Sequence, residues 1–320
     1  MKIFIEDTIS QYDILLSLSP EERENFFRHT MMKPFEGMWN AINVPMKSKD
    51  PKGYDVMMAT RMLGYLDINE TKLAEEALND LKKMNALKIA EKTLKECIDF
   101  SSEHDLRVSA EELRFGMYIA DPKKLKNQNS YTGFGGIPGY VIAIIRPNSY
   151  NVPRFPALIA HEFHHNLRFS YFEWNHGDVT VADYIIIEGL ADSFATALYG
   201  KEFLGPWVTS IDNEDLEYSI YVIKEGLNVK GFAEVSSYMF GDDFAKKEGY
   251  QPVGLSTGAG YAVGYHIVQS FMKNNNVTIQ EATLLSTEEI IKGSNVFLGN
   301  CILKDAIVSK SYEFLCGFGN

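Results

Sequence analysis

Residues 157–168 read ALIAHEFHHNLR, and within them His161, Glu162 and His165 stand in the order H-E-x-x-H. The flanks predict a helix. Pro153 and Pro156 suit a first turn, where a missing N–H costs nothing. Ala157, Leu158, Ile159 and Ala160 read as a buried run, and Phe163 and Leu167 continue the apolar side. On such a helix His161 and His165 lie one turn apart and project from the same face. Two imidazoles at that spacing can bind one zinc ion, with Glu162 beside the metal as general base. His164 points off the ligand face and reads as structural.

A catalytic zinc takes three protein ligands and keeps a fourth position for water. The pattern H-E-x-x-H-x-x-G-x-x-H would need a glycine at position 168 and a histidine at position 171. The chain has Arg168 and Tyr171, which excludes that class. A glutamate on a following helix is the other source. Residues 185–195, IIIEGLADSFA, supply Glu188, 23 residues after His165. Asp192 follows four residues later and shares its face. Glu188 is the expected third ligand. Asp192 is placed to accept the free N–H of a ligating histidine, the orientation a metal-bound imidazole needs. His176, Asp183 and Asp192 stand as alternative ligands. Two carboxylates on an otherwise apolar helix cost several kcal/mol to bury unless a cation neutralises them. Arg168 returns to the face of His161, where an ion pair with Asp192 or Glu188 is expected.

Hydrolysis of a peptide bond also needs a donor for the oxyanion. Residues 260–268, GYAVGYHIV, carry Tyr261, Tyr265 and His266, and one of these three is the expected donor. Gly260 and Gly264 would let this helix approach another closely.

The wider sequence sets the frame. The 320 residues suffice for a real core and one or two domains. Residues 1–105 read as mostly helical, with a helix start at Ser19-Pro20-Glu21-Glu22 and a stripe of Leu73, Ala77, Leu78, Leu81 and Met84. Strands are expected at 113–120 and 140–146, with a Lys-, Asn- and Gly-rich loop between them. The strand at 140–146 would form one edge of a cleft and pair with an extended substrate. Helices follow at 178–198, 213–227 and 260–273, and another starts at Ser286. Residues 106–320 are expected to form the catalytic domain of an α+β protein.

A net charge of -12 argues against nucleic acid or anionic membranes as main partners. No apolar run is long enough to span a bilayer. The opening MKIFIEDTISQYDILL lacks the basic start and long apolar core of a signal peptide. Cys97, Cys301 and Cys316 form no C-x-x-C pair, and reduced thiols in the cytoplasm are the expectation.

Taken together, AHEFHHNLR, IIEGLADSFA and GYAVGYHIV resemble the bacterial predicted zinc-dependent proteases of the YjaZ type, a domain family of unknown function. More broadly, H-E-x-x-H followed by E-x-x-x-D is similar to the gluzincin arrangement. That resemblance implies zinc held by His161, His165 and Glu188, Glu162 as general base, and Asp192 behind a ligand. It also implies a zincin-like fold, with a small sheet above the active helix and helices below. Gluzincin aminopeptidases hold the substrate amine with a glutamate in a G-x-M-E-N loop. The glycine loop here, GFGGIPG at residues 133–139, has no acid, which argues against that type. The expected activity is peptide hydrolysis on a peptide or protein substrate. The same residues would also serve a zinc-holding binding or regulatory protein without turnover, or a hydrolase of non-peptide amides or esters. Such sites also accept other divalent ions.

Overall fold

The computed structural model describes residues 1–50, 53–175 and 177–298. The chain divides into two compact units. The first comprises Met1–Trp174 and Ala191–Thr209, and the second comprises Asn175–Leu190 and the chain from Ser210 onward.

The first unit is built on a four-stranded mixed sheet. Strand β1 (Lys2–Ile5) is followed by helices α1 (Thr8–Ser17), α2 (Pro20–Phe26), α3 (Glu36–Ala41) and α4 (Val56–Met62). Helices α5 (Thr71–Lys83) and α6 (Ala86–Ser102) come next. Strands β2 (Glu112–Tyr118), β3 (Tyr131–Phe134) and β4 (Tyr140–Ile145) complete the sheet, in the order β1-β2-β4-β3. β1, β2 and β4 run parallel, and β3 is antiparallel to β4. Ser19 caps α2 in a reciprocal box with Glu22. On α5 the buried residues are Ala74, Ala77, Leu78 and Leu81, at helical spacing.

Two sheet features depart from the sequence expectation. β1 lies inside a region read as helical. It has four residues, too few to show a period, and its partners sit far along the chain, Lys2 opposite Glu112. The second departure is a correction. β4 is not an edge: it lies between β2 and β3, and Val141 to Ile145 are all buried. A parallel strand covered on both faces reads as an unbroken apolar run, which says nothing about its place in the sheet. The edge strand beside β4 is β3, inside the stretch read as a loop. Its Gly133 weakens the strand signal.

Helix α7 (Phe155–Arg168) packs against β3, β4 and α6. Pro156 stands in its first turn, and every one of its residues except Pro156 is buried. Helix α8 (Val181–Tyr199) opens at Thr180, whose backbone N–H and hydroxyl both donate to Asp183 while the Asp183 N–H donates back. It is one continuous helix. Its first half counts with the second unit, and its last part, from Ala191, counts with the first. Helix α9 (Pro206–Thr209) closes the first unit.

The second unit is helical. It holds α10 (Asn213–Gly226), α11 (Phe232–Phe240), α12 (Asp242–Glu248) and α13 (Ala259–Asn275). Helices α14 (Ile279–Thr283) and α15 (Thr287–Ser294) follow, each with a capping box, at Thr278/Glu281 and Ser286/Glu289. α13 packs against α10, α11 and α15, and it meets the first half of α8 backbone to backbone. A Cβ at Gly264 would strike the carbonyl of Ile185, and one at Gly189 would strike the carbonyl of Gly264. Among the described residues no helix is long and apolar enough to cross a membrane.

Gly264→Ala puts a methyl group into the α8 backbone, which cannot swing aside as a side chain can. The variant is expected to lose about 1–3 kcal/mol of stability, read as a lower urea midpoint at unchanged slope.

Candidate metal centre

α7 and α8 carry the candidate residues. His161 and His165 stand one turn apart on α7, and their Nε2 atoms lie 3.1 Å from each other. On α8, Glu188 precedes Asp192 by one turn. The ligating atoms of His161, His165 and Glu188 all lie within 4.8 Å of one another, and all three residues are buried. The cluster could bind a metal ion.

The geometry fits such an ion at the atoms that matter. Two nitrogens on one tetrahedral zinc, each ~2.0–2.1 Å from it, sit about 3.3 Å apart. His161 Nδ1 lies 3.0 Å from Asp192 Oδ1. The carboxylate accepts, so Nδ1 carries the proton and Nε2 presents its lone pair. Two imidazole nitrogens and one carboxylate oxygen suit a borderline divalent cation such as zinc.

Glu162 sits beneath the edge strand. A Cβ at Gly133 would lie 2.5 Å from its Oε1, and one at Gly135 would run into its carbonyl oxygen. Only a chain without side chains at these two positions can pass so close to the helix. Asn166 fastens the same segment. Its Oδ1 accepts the backbone N–H groups of Gly139 and Tyr140 at 2.7 and 3.2 Å. Its Nδ2 donates to the carbonyls of Gly135 and Tyr140 at 2.7 and 2.8 Å. The β3–β4 turn is therefore tied to the helix that carries the motif.

Asp183 caps α8 and accepts from the hydroxyl of Thr287, at 2.9 Å. His176 lies outside the described residues, as do Cys301 and Cys316. Cys97 is buried. Arg168 is buried, with its guanidinium over the Phe172 ring at 3.4 Å. His164 is buried against Phe194, and burial first, then the neighbouring His165, Arg168 and His161, hold its pKa well below the usual value. Tyr261, Tyr265 and His266 lie half-buried on α13. The Tyr261 ring packs on Phe240, and burial lowers the His266 pKa. α13 meets α8 at Ile185 and Gly189, the turn that carries Glu188.

The model of a family described as "Predicted Zn-dependent protease (DUF2268)" matches residues 86–292, well over half of the chain. The chain belongs to this family. It is 56% identical over 297 residues to "Uncharacterized protein YjfC" of Bacillus subtilis (strain 168), covering 93% of this chain and 99% of that one. It is also 29% identical over 138 residues to "Uncharacterized protein YjaZ" of the same strain, covering 42% of this chain and 49% of that one. No solved structure is a significant match. The resemblance seen in the motifs is therefore a true membership, in a family whose description names zinc and proteolysis.

Sequence reasoning passed over three residues of this centre. Gly133 was visible as part of a glycine cluster, but its contact with Glu162 was not. Asn166 lies inside the motif stretch itself and shows its role only once the β3–β4 turn is placed. Trp207, whose Nε1 lies 3.3 Å from Asp192 Oδ1, follows Gly205-Pro206 with no periodic signal around it.

Asp192→Ala removes the acceptor from His161 Nδ1. Competition with a zinc-binding dye is expected to show zinc held about 10–100-fold more weakly, at unchanged helix content.

Proposed function

We propose that the protein is a zinc-dependent peptidase of gluzincin type, with a zincin-like catalytic fold. His161, His165 and Glu188 hold the ion, Glu162 is the general base, and Asp192 orients His161. The observation that carries this reading is the convergence of three metal-ligating side chains at the H-E-x-x-H helix, with Glu162 lodged under a sheet edge. Family membership supports the zinc and the reaction class.

A bound zinc ion would supply a Lewis acid that lowers the pKa of a water toward about 7 and polarises the scissile carbonyl. The residues of the chain do the rest. Glu162 takes the proton of the attacking water and delivers it to the leaving amine. Asp192 holds the His161 ring by its Nδ1–H. Tyr261, Tyr265 or His266 on α13 donates to the oxyanion, and the backbone contact of α13 with the Glu188 turn of α8 supports that placement. An extended peptide pairs main chain to main chain with β3, the edge strand that lies over Glu162. Gly133, the β3 residue against Glu162, has no side chain between the strand and the base.

Two variants test the assignment on a peptide library. Glu162→Gln is expected to keep zinc and lose hydrolysis, because the amide cannot take a proton. A variant that cleaves as fast as the parent, or a parent that binds zinc and cleaves nothing in the library, overturns the mechanism. The second outcome favours a zinc-holding binding protein.

Gly133→Ala is expected to keep the zinc content and to lower kcat at least a hundredfold. Its methyl group occupies the place of the Glu162 carboxylate, and a misplacement near 1 Å at a catalytic group costs about 10²-fold. Metal analysis beside steady-state kinetics reads both.

A further inference from the structure

Asp192 is more heavily used than a single histidine requires. Its Oδ1 accepts from His161 Nδ1 at 3.0 Å and from Trp207 Nε1 at 3.3 Å. An indole N–H can only donate, so its partner must stay an acceptor. Two donors on one oxygen fix the carboxylate rotamer. The indole also stands edge-on to the His161 ring, with centroids 6.1 Å apart at 70°. On its other side it meets the Tyr131 ring at 5.4 Å. Trp207 is thus wedged between the first residue of β3 and the first histidine of the motif.

The local chain is shaped for that position. Trp207 stands on the four-residue helix α9, directly after Gly205-Pro206. A Cβ at Gly205 would overlap the indole, so the glycine is what lets the ring fold back. Tyr131, Arg154, Asp192, Phe203 and Trp207 line a cavity behind the indole with room for about one water molecule. Asp192 Oδ2 and the Tyr131 hydroxyl are both buried and have no hydrogen-bond partner among the described residues. Burial, then the neighbouring Tyr150 and Asp192, push the Tyr131 pKa above its ordinary value and keep its hydroxyl a donor. Among the described residues, His161 and Trp207 are the side chains hydrogen-bonded to Asp192.

We infer that Trp207 is a positioning residue of the metal centre: its indole N–H locks Asp192 in the orientation that presents His161 to the ion. The inference rests on the metal-site reading above. It makes α9 part of the zinc site, although no residue of α9 is a ligand.

The test measures zinc affinity of the full chain by dye competition, for the parent, Trp207→Phe, Asp192→Ala and the double variant. Phenylalanine keeps an aromatic cover over His161 and removes the donor. Trp207→Phe is expected to bind zinc about 3–10-fold more weakly, and the double variant no more weakly than Asp192→Ala alone. That non-additivity is the signature of action through Asp192. Gly205→Ala, which keeps the tryptophan but displaces it, is expected to weaken zinc to the same degree. Zinc titration of the parent is also expected to change its tryptophan emission, with that change absent in Trp207→Phe.

A Trp207→Phe protein with parental zinc affinity overturns the inference. So does a double variant whose loss is the product of the single losses, because a merely structural role gives that result. If neither variant folds, the parent decides, since a tryptophan emission indifferent to bound zinc overturns the inference. A parent that takes up no zinc overturns the metal-site reading and this inference together. A zinc-binding parent with undisturbed variants overturns only this one.

Discussion

The molecule is organised around a costly act: His161, His165, Glu188 and Asp192 are each more than nine-tenths buried, on two helices that are themselves sunk in the protein. Ionised side chains in such surroundings cost several kcal/mol apiece unless they are paired or coordinate a cation. Asp192 meets part of this through His161 and Trp207. The trio of His161, His165 and Glu188 is grouped closely enough that it could hold a metal ion. The surrounding architecture keeps the expense local. α7 is sunk against the sheet, and α8 runs unbroken through the turns that carry both carboxylates.

Close backbone approach is the second theme, and glycine does different work in each place. At Gly189 and Gly264 it lets α8 and α13 touch without side chains between them, at the turn bearing Glu188. At Gly133 and Gly135 it lets an edge strand and its turn lie on Glu162. In both places an added methyl group would strike the centre or its immediate support.

Much of this was legible in the sequence, for physical reasons. α7 begins with a proline in its first turn and α8 with the Thr180–Asp183 cap, and both continue as long apolar-rich runs, so local chemistry defines much of them. The one-turn spacings of His161 with His165 and of Glu188 with Asp192 follow from helical geometry once those helices are granted. What was not legible depends on contacts between distant parts of the chain. β1 has four residues and borrows its register from β2 more than a hundred residues later. β3 hides its strand character behind Gly133, whose reason for being there is Glu162. β4 was recognised as a strand, but its expected pairing with a substrate fails because β2 and β3 occupy both its edges, and an apolar run does not say how many neighbours a strand has. Asn166 and Trp207 act through single hydrogen bonds to partners that no spacing rule connects.

The four hydrogen bonds of Asn166 have a further consequence. They pair one amide with both ends of the β3–β4 turn, so the turn has the length that spans from Gly135 to Tyr140 while meeting a fixed point on α7. Adding or deleting a residue there would break the clamp and slide β3 by one position, which in a strand reverses every side chain. The hairpin is therefore closed to tinkering by length. A designer altering this part of the chain would have to leave the turn's length alone and work through side chains elsewhere.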